Sequence, residues 1–189
     1  MLKRPNRPID RTIFGAGKEQ SLDAAALDTP ERILAYCRDR DLIVGVTTNI
    51  QGLIEENSKL DLEFRDIGEY DAYIEKIGDD NYRIVINSKH SVTRQRFSMA
   101  HEYVHYQLHR DDIERMPHGE RILFRSEERD VREYQANQVA AEILMPESEF
   151  KQVARANNGE ISVIGAEFHV SPLAVRFRAK TLEIAGHGF

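Results

Sequence analysis

The residues best suited to chemistry are His101-Glu102-Tyr103-Val104-His105, inside the stretch RQRFSMAHEYVHYQLH from Arg94 to His109. The pattern is His-Glu-x-x-His. On a helix, residues at i and i+4 rise from one face a turn apart, so two imidazoles can grip a single metal ion. Glu102 follows the first histidine directly, so its carboxylate leans towards a water on such an ion rather than towards the ion itself. That is the general-base geometry of a zinc hydrolase. Phe97, His101, Val104, His105 and Leu108 fall on one inward-facing stripe, which puts both histidines in the middle of the buried face. One histidine on an apolar face is usually a hydrogen-bonded core residue. Two of them a turn apart would lose hydrogen bonds that an apolar neighbourhood cannot return.

A catalytic zinc site takes three protein ligands and leaves one position for water. Asp111 lies ten residues beyond His101, the spacing of the third ligand in patterns that turn the chain back through a glycine at position 108. Position 108 is leucine, a strong helix former on the buried stripe, so the helix is expected to run on and carry Asp111 away. The second candidate lies on Glu127–Leu144 (EERDVREYQANQVAAEIL), a helical stretch ended by Pro146. Glu133, Ala136, Asn137, Ala140 and Leu144 share one face there, and its alanines allow another helix to approach closely. Glu133 is the carboxylate on that face, while Glu127, Glu128 and Glu142 point elsewhere. Periodicity favours Glu133.

Together the two stretches resemble the ImmA/IrrE family of zinc metallo-endopeptidases. Its pattern is R-x-R-F-T-x-A-H-E-x-x-H-x-x-x-H, then E-x-x-A-N-x-F-A-A-x-L-L-M-P some twenty-odd residues later. Here Ser98, Val139 and Ile143 replace the usual Thr, Phe and Leu, all at packing positions. The resemblance covers residues 82 to 146 firmly and the flanks more weakly. It implies that His101, His105 and Glu133 hold Zn2+, that Glu102 is the catalytic base, and that a protein is cut, with a helix-turn-helix repressor as the expected target. It also implies a zincin-like fold, in which the strand before the motif helix forms an edge for substrate. Tyr82–Asn87 is the candidate strand. Tyr103, Tyr106, His109, His118 and Tyr134 all remain candidates for a second donor to the oxyanion.

The elements that must position this site read as α+β. Asp28-Thr29-Pro30 starts a helix running to about Arg40, with a capping side chain and a first-turn proline. A strand is expected over Leu42–Thr47 and a short helix over Ile50–Glu56. Leu60, Leu62 and Phe64 then alternate with charged residues, followed by Ala72–Lys76 and Tyr82–Asn87 around the turn cluster Gly78-Asp79-Asp80-Asn81. This predicts an antiparallel meander ending in a hairpin, in a small antiparallel or mixed sheet packed on the motif helix and the Glu133 helix. The motif helix should begin near Ser91 or Thr93. Residues 1–29, with Pro5, Pro8, Gly15 and Gly17, read as a lead-in. Gly15-Ala16-Gly17-Lys18 there is no phosphate loop, because Glu19 stands where Ser or Thr must hold magnesium. The metallopeptidase domain is expected over 30–189, with a core over 42–146 and a C-terminal helical hairpin over 147–189.

Composition narrows the setting. With 189 residues, 41% apolar and 31% charged, the chain suits one soluble domain. Its net charge of −6 disfavours broad nucleic-acid binding. Five basic groups in residues 1–20 stand against Asp10 and Glu19, a local +3 that leaves −9 on the rest. Cys37 is the one cysteine and lies in an apolar run, which suggests a buried thiol and a cytoplasmic setting. No apolar run reaches the length of a membrane span. The tail (Glu160–Phe168, a break at His169-Val170-Ser171, then Pro172–Glu183) looks like a helix-turn-helix. Arg176, Arg178 and Lys180 against Glu183 give its second helix a local +2. Packing is the favoured role. The alternative reading is a non-proteolytic zinc-binding regulatory or toxin-type component whose C-terminal hairpin binds DNA or a repressor.

Overall fold

The computed structural model describes residues 27–115 and 127–184, with side chains in the second span from residue 131. The expected lead-in lies almost entirely outside them, as do His118 and the side chains of Glu127 and Glu128. The first helix, α1 (Pro30–Asp39), starts as the sequence predicts: Thr29 caps it by accepting from the Arg32 amide, and Pro30 opens the first turn. Its buried face carries Ile33, Leu34 and Cys37. Burial raises the Cys37 thiol pKa to about 12, which makes it a structural thiol.

The strand expected over Leu42–Thr47 is instead a tight hairpin of β1 (Ile43–Val44) and β2 (Thr47–Thr48). The chain reverses at Gly45, whose φ of 63° is a backbone conformation that glycine takes without strain. Next comes α2 (Ile50–Glu55), capped by Asn49. Three further strands, β3 (Leu60–Arg65), β4 (Ala72–Lys76) and β5 (Tyr82–Asn87), form the main sheet in the order β3-β5-β4. β5 pairs parallel with β3, Leu62 opposite Ile84, and antiparallel with β4, Tyr73 opposite Val85. The meander is therefore incorrect, and β5 is not an edge. Its sequence explains why: Ile84, Val85 and Ile86 are all fully buried, the continuous apolar run of a strand covered on both faces. The β4–β5 hairpin survives, but β3 joins on the far side.

The motif helix α3 (Val92–Leu108) follows, capped by Ser91. It is buried nearly all round rather than on one stripe: Met99, Ala100, Tyr103, Val104 and Tyr106 are in the core, while Phe97 and Leu108 only flank it. The chain bends at His109 and restarts as α4 (Arg110–Glu114). The Glu133 helix, α5 (Glu127–Leu144), packs along α3 through Ala136 and Ala140, both fully buried. Beyond Pro146 three helices follow rather than two: α6 (Glu147–Ala156), α7 (Ile161–Phe168) and α8 (Pro172–Thr181). The added helix α6 buries Phe150 and Ala154, a spacing of four that was legible in the sequence.

Arg178, one of the three basic residues counted in the last helix, is only 3% exposed. Its Nε donates to the Met145 carbonyl at 3.0 Å, just past the end of α5, and its guanidinium pairs with Glu142 at 3.3 Å. A cation there satisfies carbonyl groups that a helix terminus leaves without partners. Among the described residues no helix is long and apolar enough to cross a membrane. The strand order is testable by urea unfolding. Ile84→Ala in central β5 should cost about 3 kcal/mol, whereas Phe64→Ala on outer β3, a half-exposed site, should cost under about 1 kcal/mol.

Candidate metal centre

Local helical geometry sets the first half of the site. On α3, His101 and His105 meet edge to face with ring centroids 4.6 Å apart, and their Nε2 atoms are 3.0 Å apart. The second half comes from α5, whose alanine face lets Glu133 reach both rings. Its Oε2 lies 3.2 Å from His101 Nε2 and its Oε1 3.1 Å from His105 Nε2. One ligand atom from each of the three residues falls within 4.8 Å of the others. Asp111 is not among them. The helix does end at Leu108, contrary to the expectation, but α4 takes up the chain at once and leaves Asp111 exposed. Its neighbour Asp112 pairs with Arg132 and so ties α4 to α5 beside Glu133.

The hydrogen bonds behind the rings show which way their nitrogens face. His101 Nδ1 lies 3.0 Å from the Asn137 side-chain oxygen, so that nitrogen carries the proton and donates. His109 Nε2 donates to Gln135 Oε1 at 3.1 Å, which leaves its Nδ1 free to accept from His105 Nδ1 at 3.0 Å. Both neutral tautomers are thereby set with Nε2 lone pairs turned inward. Two lone pairs and a carboxylate converge on one point, and the buried Glu133 Oε1 has no well-directed hydrogen bond. Such a cluster repels itself unless a proton or a cation sits in it. Atoms each about 2.0–2.1 Å from a tetrahedral ion are about 3.3 Å from one another, close to the spacings here. The donor set fits a divalent cation, and ring partners of this kind are what orient metal-binding histidines.

The pKa shifts describe the cluster with a proton in the cation's place. Burial lowers the His105 pKa to about 4, so its ring stays neutral. Burial also opposes charge on His101, but its contact with Glu133 and the charge of Glu102 raise its pKa instead. Glu133 is partly buried, which opposes its charge, yet hydrogen bonds from the imidazoles hold its carboxyl well below the usual carboxylate range. Glu102 is 8% exposed, and burial, reinforced by the charge of Glu133, raises its pKa to about 7, in the range of a working general base.

The oxyanion candidates separate by position. Tyr103 and Tyr106 are fully buried in the core, the first receiving a hydrogen bond from Gln107 and the second from Asn57. His109 stands behind His105 rather than over the open side of the cluster. Tyr134 is half exposed on α5, with its ring edge-on to Phe177. The sequence reasoning missed the ring partners Asn137 and Gln135. Asn137 was visible as the residue one turn from Glu133 on the same face. Gln135 carried no such signal, because its role depends on the bend at His109.

Added to metal-free protein at a hundred times its dissociation constant, a divalent cation should stabilise the fold by about 2.7 kcal/mol. Thermal unfolding would register that as a rise of several degrees. Asn137→Ala and His109→Phe should each weaken metal affinity by about 10–100-fold. Unchanged affinity in competitive chelator titrations would show that the ring partners do not orient the ligands.

Comparisons with known proteins give a fold and a family. A solved structure of a Mycobacterium tuberculosis transcriptional regulator is similar at a TM-score of 0.60 and 17% identity, over 82% of this chain and 47% of that one. The chain spans about half the length of that protein, and at such identity the likeness is one of fold. No curated protein matches. The family model of the IrrE N-terminal-like domain, Peptidase_M78, matches residues 55–180, which include every residue of the cluster and of its ring partners. The chain belongs to this peptidase family.

Proposed function

We propose that the protein is a zinc-dependent endopeptidase in which His101, His105 and Glu133 hold the metal and Glu102 is the catalytic base. The observation that carries the reading is the convergence of two inward lone pairs and a carboxylate beside a buried glutamate near neutral pKa. Zinc bound there would acidify a water and polarise the scissile carbonyl. Glu102 takes the proton from the attacking water and returns it to the leaving amine. In the metal-free protein that carboxyl is held near 7 by burial, and a nearby cation favours its ionised form. β5 cannot pair with substrate, since both its sides are taken. The role passes to β4, an edge strand that packs on α3, along which an extended peptide can add as a further strand.

In this reading residues 30–189 work as one metallopeptidase unit, residues 1–29 are a lead-in, and the setting is the cytoplasm. The substrate is a protein, and a helix-turn-helix repressor is the target we favour. The similar fold of a transcriptional regulator supports a link to gene control. The alternative, a non-proteolytic component with a DNA-binding C-terminal hairpin, is less well supported. Arg178, one of the three cations it would use, is buried against α5.

Two substitutions separate base from ligand. Glu102→Gln should retain stoichiometric zinc by elemental analysis but lose about 100-fold or more of the cleavage of a co-expressed repressor. Wild-type cleavage by that variant would overturn the mechanism. Glu133→Ala should lower zinc affinity, and full metal retention would remove it as a ligand.

A further inference from the structure

The C-terminal helix-turn-helix leaves a question that the metal site does not answer. Its second helix is the element that would read DNA, and the residues near its start are those that would approach bases. Here Ser171, Leu173, Ala174 and Phe177 of that helix line a groove of about 680 Å³ instead. The opposite wall is the first turns of α3, with Phe97 and Arg94, and Asn137 of α5 lines it too. The volume lies within the roughly 300–1,000 Å³ typical of ligand sites.

Three placements connect the groove to the metal centre. Phe97 is one turn before His101 on α3, and Asn137 is one turn after Glu133 on α5. Asn137 also holds the outer nitrogen of the His101 ring, so one residue of the groove lining touches the cluster's flank. Asp71, at the start of edge strand β4, closes one rim, where it pairs with Arg94 at 2.6 Å and lies 3.1 Å from His90. The rim charges thus compensate one another, while the walls are apolar. Leu173 is 76% exposed at the mouth of the groove, and Phe177 packs edge-on against Tyr134, the residue next to Glu133.

We propose that α8 walls the substrate cleft, with Leu173, Phe177 and Phe97 forming a subsite for a large apolar side chain next to the scissile bond of an extended peptide. The proposal rests on the zinc peptidase reading and deepens it. The C-terminal segment then serves peptide selection, and Leu173 is exposed because substrate covers it. Charged side chains gain little there, because the charges at the rim, Arg94 and Asp71, are already paired with each other.

Peptide hydroxamates test this, because the hydroxamate binds the metal while the neighbouring side chain probes the groove. Acetohydroxamate, C-terminal peptide hydroxamates and succinyl hydroxamates carrying Gly, Asp, Leu or Phe would be titrated calorimetrically into zinc-loaded full-length protein. Within one series, Phe and Leu compounds should bind about tenfold or more tightly than the Gly compound, the scale for burying such a side chain. The Asp compound should gain nothing. Leu173→Asp, a surface change that leaves the core intact, should abolish the Phe gain without altering acetohydroxamate binding, and Phe177→Ala should reduce it. Equal binding of Phe and Gly compounds in both series, or a Phe gain that survives Leu173→Asp, would overturn the subsite. Failure of acetohydroxamate to bind protein shown to contain zinc would instead refute the open metal position on which the peptidase reading stands.

Discussion

Most of this structure can be understood from one constraint: two imidazole lone pairs and a carboxylate are held within about 3 Å of each other. Left alone they repel, so the fold must hold them together. It does so from two directions. The α3 backbone sets the histidines a turn apart, and the alanine face of α5 brings Glu133 over them. Behind each ring stands an acceptor, Asn137 for His101 and His109 for His105, and each fixes the proton on the outer nitrogen. Without those acceptors either ring could turn its proton inward and satisfy the cluster by itself.

Helix packing follows from the same demand. α3 is buried nearly all round because it carries the histidine pair on one side and supports the sheet on another. β4 and β5 lie against it, and α5 runs along it. The α5 carboxyl end is secured in turn by the buried Arg178 of α8. That cation is committed to a helix terminus, which draws α8 against α5 and sets the start of α8 beside the metal centre. A segment shaped like a DNA reader thus lines a groove between α8 and the start of α3.

Where the sequence misled, the cause was information that local pattern does not contain. Period-two alternation shows that Leu60–Phe64 is a half-buried strand, but not which strand it joins. Neighbouring strands usually pair in order, and here β3 crosses to the far side of β5. The unbroken burial of Ile84, Val85 and Ile86 was a legible sign of a central strand, and it outweighs the placement of β5 at an edge. Arg178 looked like surface charge because its helix is short and basic. Only the arrival of Met145 and Glu142 from another helix gives it a reason to be buried.

The sequence by itself determined the site's local half: the His101–His105 pair one turn apart, Glu102 beside it, the Ser91 and Thr29 caps, and the small-residue face that carries Glu133. These depend on spacings within a turn or two, which helix geometry converts directly into position. Tertiary structure alone decided that α3 and α5 would meet with Glu133 across the two rings, that His109 would turn behind His105, and that β4 rather than β5 would be an edge. It alone also closed the groove with α8. Each of these depends on which distant elements meet, a question settled by packing and hydrogen-bond satisfaction over the whole core.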